Sequence, residues 1–157
     1  MDYDKLTRMF DDMPHMRAVG IRVAEITDGR ASMRLGPNPA LVGNPETGFL
    51  HAGALTALMD TTGALAVFSL LDGERMIATL DLRIDYLRPA MADRIIVAEA
   101  DCYRLATEIA FVRGETREIA LDGTAIRDVA TFAATFMLTD PLPESAVKKD
   151  AVREEGG

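Results

Sequence analysis

A lone carboxylate sits in the middle of an almost uncharged stretch of this chain. Between Phe49 and Leu71 only Asp60 is expected to carry charge, His51 apart. Burying an unpaired carboxylate is expensive, so Asp60 must be partnered, near water, or held for a task. A solvated groove, or hydrogen bonds from a neighbouring strand, would satisfy it without any catalysis. Nine residues earlier, His51 lies where loop becomes helix, followed by Ala52 and Gly53. The first N–H groups of a helix lack internal partners and carry the positive end of its dipole, so they can hold an oxyanion. A carboxylate and an oxyanion site are the parts of general base catalysis with developing negative charge. A histidine at a helix start also commonly does no more than cap or pack.

Other chemistries find no residues to carry them. There is no G-x-S-x-G elbow, no P-loop, and no G-x-G-x-x-G after a strand. The single Cys102 excludes an intrachain disulfide and, with two His, leaves too few soft ligands for a zinc site. Met9 and Met13 with Phe10 read as core packing. Arg83, Arg88, Arg104, Arg113 and Arg117 along the later segments read as a solvated face.

The elements that must position Asp60 and His51 follow from periodicity. Residues Asp2 to Met13 space Leu6, Met9, Phe10 and Met13 as a short amphipathic helix, ended by Pro14. Gly20 to Leu35 reads as a hairpin turning at Asp28-Gly29. Gly36 to Gly48, with three Pro, must be loop, and a loop so long in a compact domain is usually functional. A helix then runs from about Ala52 to Leu71, apolar nearly all round and rich in Ala and Gly, closed by Asp72-Gly73. Small side chains on such a helix suit one wrapped by a sheet. From Ile77 the period changes to two, with Ala78, Leu80, Leu82, Ile84 and Tyr86 on one face and Thr79, Asp81, Arg83 and Asp85 on the other. Arg94 to Arg104, Thr107 to about Ile119 and Thr124 to Leu138 supply three more strands, the last two joined near Asp122-Gly123. The layout is α+β, one long helix against a curled antiparallel sheet. It divides into an N-terminal helical segment (1–19), one domain (20–139) and a solvated tail (140–157).

At 157 residues the chain is sized for one domain. Its net charge of −8 argues against nucleic acid or an anionic membrane surface as partner, and any anionic ligand would need a local patch of Arg or Lys. Asp60 also argues against reading Phe49–Leu71 as a membrane span, where a central carboxylate costs roughly 3 kcal/mol. Met1-Asp2-Tyr3-Asp4-Lys5 lacks the basic and apolar regions of a signal peptide, and with the single cysteine a cytoplasmic location is expected.

Three runs of residues resemble a known family. Gly43 to Gly63, with Asn44 in the loop, His51-Ala52-Gly53 at the helix start and Asp60 nine residues after the His, resembles the signature of the PaaI-like hotdog thioesterases. Ala78 to Ala90 resembles their second motif, and Ala130 to Met137 their last strand. The resemblance implies a hotdog fold and a homodimer with a continuous sheet, often paired into a tetramer. It also implies hydrolysis of acyl-CoA, of a small, medium-chain or aromatic acyl group, with no metal and no organic cofactor. Carried onto this sequence, Asp60 matches the general base or nucleophile. Ala52 and Gly53 match the backbone donors of the oxyanion hole, and His51 and Asn44 the residues that orient the thioester carbonyl and the helix start. Thr79 matches the residue that positions the attacking water, and Arg88 beside Pro89 is offered for the CoA phosphates. Two departures stand out: Ala52 replaces the middle Gly of His-Gly-Gly, and Asn44 lies one residue farther from His51 than in some relatives. A non-catalytic acyl-CoA binding or sensing protein and a hydratase or dehydratase of the same fold are the alternatives.

Overall fold

A computed structural model of the protein describes residues 1–71 and 75–140. Asp2 caps the first helix, its side chain accepting from Lys5 N–H, and α1 runs Tyr3–Asp11. Pro14 ends it as expected but also opens a second helix, α2 (Pro14–Val19), at the first-turn position where a missing N–H costs nothing. Then come β1 (Ile21–Thr27) and β2 (Arg30–Leu35), turning at Asp28-Gly29. The expected loop carries a 3-10 turn (Pro39–Leu41) and a small ladder of β3 (Val42–Asn44) and β4 (Phe49–Leu50). Helix α3 spans Ala52–Phe68, three residues short of the expected end, with Ser69 as its C-cap. The Asp72-Gly73 closure falls outside the described residues, as does the tail beyond Asp140. β5 (Met76–Tyr86), β6 (Ile95–Leu105), β7 (Ile109–Ile119) and β8 (Ala125–Thr139) complete the chain within one to two residues of expectation.

The six long strands form one antiparallel sheet in the order β1-β2-β6-β7-β8-β5. Helix α3 buries Leu55, Leu58, Met59, Leu65, Ala66 and Val67 against it, chiefly over β6 and β2. Each such Leu contributes about 1.5–3 kcal/mol of burial. The sheet answers with small residues, Ala98, Ala100 and Ala110, so helix and sheet approach closely. Leu6, Phe10 and Met16 join the same core, and Phe10 meets Phe68 of α3 edge to face at 5.7 Å. Arg83, Arg113 and Arg117 form exposed ion pairs with Asp85, Asp101 and Glu99, the solvated face the sequence suggested; such pairs contribute little. Among the described residues no helix is long and apolar enough to cross a membrane.

Gly114, in the middle of β7, lets Phe132 of β8 lie across the strand. A Cβ there would collide with the Phe132 ring and with the Glu99 carbonyl oxygen of β6. Gly114→Ala is therefore expected to cost about 3 kcal/mol, the upper end of overpacking losses. That lowers Tm by on the order of 10 °C, measured by thermal melting.

The two sheet edges differ. At β1, the Asp11 carboxylate of α1 accepts from Val23 N–H at 2.8 Å, beside a bulge between Val23 and Glu25, so that edge is blunted. At β5 eleven residues run along a bare edge, with Met76, Leu80 and Tyr86 about half exposed.

One register detail departs from the sequence reading and bears on the site. Thr79 pairs with Phe136 and Asp81 with Thr135, so Leu80 is an extra residue, a bulge, in β5. Strict alternation sets Thr79 on the face opposite Leu82 and Ile84. The bulge reverses the phase, and Thr79 joins Ile77, Leu82 and Ile84 on the side packed toward α3.

Candidate active site

Asp60 lies midway along α3 and is partly exposed. Thr79 Oγ1 donates to Asp60 Oδ1 at 2.9 Å, the contact that the Leu80 bulge makes available. The two residues singled out from distant parts of the sequence are thus brought together. One of the readings left open for Asp60, a hydrogen bond from a neighbouring strand, holds in this geometry, and it leaves Oδ2 without a recorded donor among the described residues.

His51 is the N-cap of α3. Its Nδ1 accepts from Gly53 N–H at 3.0 Å. One of the two N–H groups matched to the oxyanion hole is therefore occupied by the protein itself. Ala52 N–H has no acceptor among the described residues. Among the described residues none other than Gly takes positive φ, so an alanine at 52 fits its backbone without strain. The helix start is held from several sides. His51 N–H donates to Leu41 O at 2.8 Å, and Gly43 packs so closely that a Cβ would stand 2.9 Å from His51 Cα.

Asn44 ends β3 close to this start. Its Oδ1 accepts from Glu46 N–H at 3.0 Å in a local turn, which ties the oxygen down and leaves the amide NH2 outward and exposed. Arg88 donates to Asp128 O at 3.0 Å just past the end of β5; the structure does not bring it to Asp60. Nor do His51 or Asn44 reach Asp60 within the chain. Nine residues of helix separate His51 from Asp60, about 13 Å of rise.

Three residues that sequence reasoning passed over support this arrangement. Tyr86 Oη lies 3.1 Å from Thr56 Oγ1 and donates to Ala52 O at 3.5 Å, tying β5 to the first turn of α3. Glu118 is 2% exposed on β7. It accepts from Met91 N–H at 2.7 Å and from Arg127 Nε at 2.9 Å, while Arg127 also donates to Pro89 O. The segment so clamped bonds β4: Leu50 N–H donates to Ala90 O, and Ala92 N–H to Gly48 O. β4 delivers the chain into His51. The signal for Glu118 lay in its parity, since it shares the inward phase of Ala110 and Val112. A carboxylate there requires a cation, and removing one partner of such a pair typically costs 3–5 kcal/mol.

Beside Asp60 and Thr79 opens a cavity of about 640 Å³, walled by Met9 and Phe10 of α1, Ala64 and Phe68 of α3, and Met76 of β5. A second concavity of about 670 Å³ lies on the outer sheet face around Arg30, Asp101 and Arg113. It is polar and remote from Asp60, so the chemistry points to the first. Among the described residues no three His, Cys, Asp or Glu side chains gather as a metal site.

Comparison with known proteins agrees with this fold. Residues 47–118 match the family model of the Thioesterase superfamily. The chain is 29% identical over 139 residues to the medium/long-chain acyl-CoA thioesterase YigI of Salmonella typhimurium, covering 80% of this chain and 86% of that protein. A thioesterase family protein from Silicibacter pomeroyi superposes with a TM-score of 0.79 at 25% identity, over 88% of this chain and 98% of the other. A variant of the phenylacetic acid degradation protein PaaI from Thermus thermophilus superposes with a TM-score of 0.67 at 29% identity, over 80% and 98%. With the helix start, the lone helix carboxylate and the sheet order in place, the chain belongs to the thioesterase superfamily as a PaaI-like, hotdog-fold thioester hydrolase.

Proposed function

We propose that the protein hydrolyses acyl-coenzyme A to free acid and coenzyme A, with Asp60 as the catalytic carboxylate. The observation that carries this reading is the 2.9 Å bond from Thr79 to Asp60 in the wall of a largely apolar cavity. Water is a poor nucleophile and thiolate a good leaving group, so one base and one oxyanion site suffice. Asp60 takes a proton from water as it attacks the carbonyl carbon, or attacks it directly. Thr79 fixes one carboxylate oxygen so that the other faces the reacting atoms. Ala52 N–H is the open oxyanion donor, and Gly53 N–H joins it only when the His51 ring turns away. Asn44, through its exposed amide, orients the carbonyl. Arg88 is the cation nearest the β5 end for a CoA phosphate. The name of the YigI relative, a medium/long-chain acyl-CoA thioesterase, supports this substrate class.

We assign the bare β5 edge to a second copy of the chain. A long edge strand with half-exposed apolar side chains invites pairing, and a two-fold mate offers the same strand in return. Such a dimer continues the sheet and covers Leu80, and two dimers can pair further.

The test is release of thiol from a panel of short, medium-chain and aromatic acyl-CoAs. Cys102 adds little background, since it is 8% exposed and burial pushes its thiol above the ordinary range. No release from any member would end the hydrolase reading. Within it, Thr79→Ala should lower kcat several-fold with KM nearly unchanged, and Thr79→Ser should be mild. A large rise in KM at unchanged kcat would instead place Thr79 in substrate binding.

A further inference from the structure

The wall of the cavity is graded. Along α3, Asp60, Ala64 and Phe68 recur at intervals of four, and Leu71 follows just past the helix end, so one stripe has the carboxylate at its head and only apolar side chains after it. Opposite lies α1, whose Met9 faces the same space together with Met13 at the cap of α2, although both lie outside the residues matched by the family model. Met9 is 45% exposed, so a large apolar side chain stands uncovered beside an apolar cavity wall. Methionines also conform to irregular flexible ligands. The Phe10–Phe68 pair also lines the cavity and packs into the core.

We propose that this cavity takes the linear acyl chain of the substrate, with α1 as its outer wall and Ala64 and Met9 as the residues that set chain length. This rests on the hydrolase reading for the position of the thioester at Asp60. The stripe from Asp60 to Phe68 rises about 12 Å, and an extended chain of tetrahedral bonds advances about 1.2 Å per bond, so roughly ten carbons fit. The preferred substrate is therefore a medium-chain thioester. A short acyl group leaves most of the apolar wall wet. Ala64, one turn beyond Asp60, is a small residue in the cavity wall, and a larger side chain there would divide the cavity.

The test uses the full chain and non-hydrolysable thioethers, S-butyl- and S-decyl-coenzyme A, with Kd from titration calorimetry, so that it reads binding independently of turnover. Each methylene received by the cavity should tighten binding about fourfold, the equivalent of about 0.8 kcal/mol. Over the six that separate the probes, a ratio of at least about 100-fold is expected after imperfect burial. Ala64→Phe should reduce that ratio at least tenfold. Met9→Glu, at an exposed position where folding is not at stake, should reduce it about fivefold by setting a charge against the chain. A wild-type ratio near one, or a ratio that neither variant changes, overturns the assignment. Should Ala64→Phe fail to fold by circular dichroism, Met9→Glu decides alone. Chain-length-dependent binding by a protein that cleaves no thioester would remove the hydrolase reading and leave the cavity assigned. Cleavage with no chain-length dependence in Kd would do the reverse.

Discussion

Replacing Asp60 by Asn is expected to lower kcat for acyl-CoA hydrolysis by at least about 10²-fold, the usual worth of a positioned base. The substitution isolates the chemistry. Asn is nearly isosteric with Asp and its Oδ1 still accepts from Thr79 Oγ1, so the bond that ties α3 to β5 survives. Asp60 is only partly exposed and forms no ion pair among the described residues, so none is broken. Melting temperature and circular dichroism should therefore match the wild type, and KM should change little. If Asp60 is the nucleophile, the loss will exceed that of a base alone. Near-normal turnover by Asp60→Asn would mean that the carboxylate is structural, satisfied by Thr79 and nothing more.

That the carboxylate could be picked out at all reflects how few ways there are to place a charge in an apolar helix. The helix itself was legible for the same reason: an unbroken apolar run with small residues has to be buried, and only a sheet can surround it. The hairpin at Asp28-Gly29 and the later strands were legible from turn residues and period two. What escaped the reading was whatever depended on non-local register. The bulge at Leu80 leaves no mark in the composition of β5, whose apolar and polar residues alternate smoothly through it. Only pairing with β8 shows that Thr79 has changed faces. The short α2 was missed because six residues give too little periodicity, and Pro14 reads equally as a stop and as a first turn. The occupied N–H of Gly53 is a rotamer outcome, since His51 can cap its own helix or leave it open. Tyr86 and Arg127 were unreadable as site supports because each acts through a contact at least nine residues away. Glu118 was readable in principle from its inward phase, had the alternation of β7 been followed to its end.

An Asp60→Ala chain and an Asn44→Ala/His51→Ala chain should each be inactive alone, yet regain about a quarter of wild-type activity when co-expressed in equal amounts. The argument is geometric. Asp60 sits about 13 Å up the helix from His51, and within one chain its recorded partner is Thr79, with neither His51 nor Asn44 in reach. A single carbonyl carbon cannot meet both ends of that separation. A two-fold axis at the β5 edge can set Asp60 of one copy against the helix start of the other, making two composite sites per dimer. Random mixing makes half of all dimers mixed, and in each mixed dimer one of two sites inherits both intact halves. The Thr79–Asp60 bond sharpens the test. Thr79 must travel with the carboxylate of its own chain, so a chain carrying both Asp60→Ala and Thr79→Ala should complement the helix-start double variant just as well. Loss of complementation on adding Thr79→Ala would show that Thr79 serves the opposite site. Mixed dimers confirmed by native mass spectrometry yet inactive would show that one chain supplies the whole site, and the helix start would then have to approach Asp60 by a movement that this fold holds in check through His51, Leu41 and Gly43.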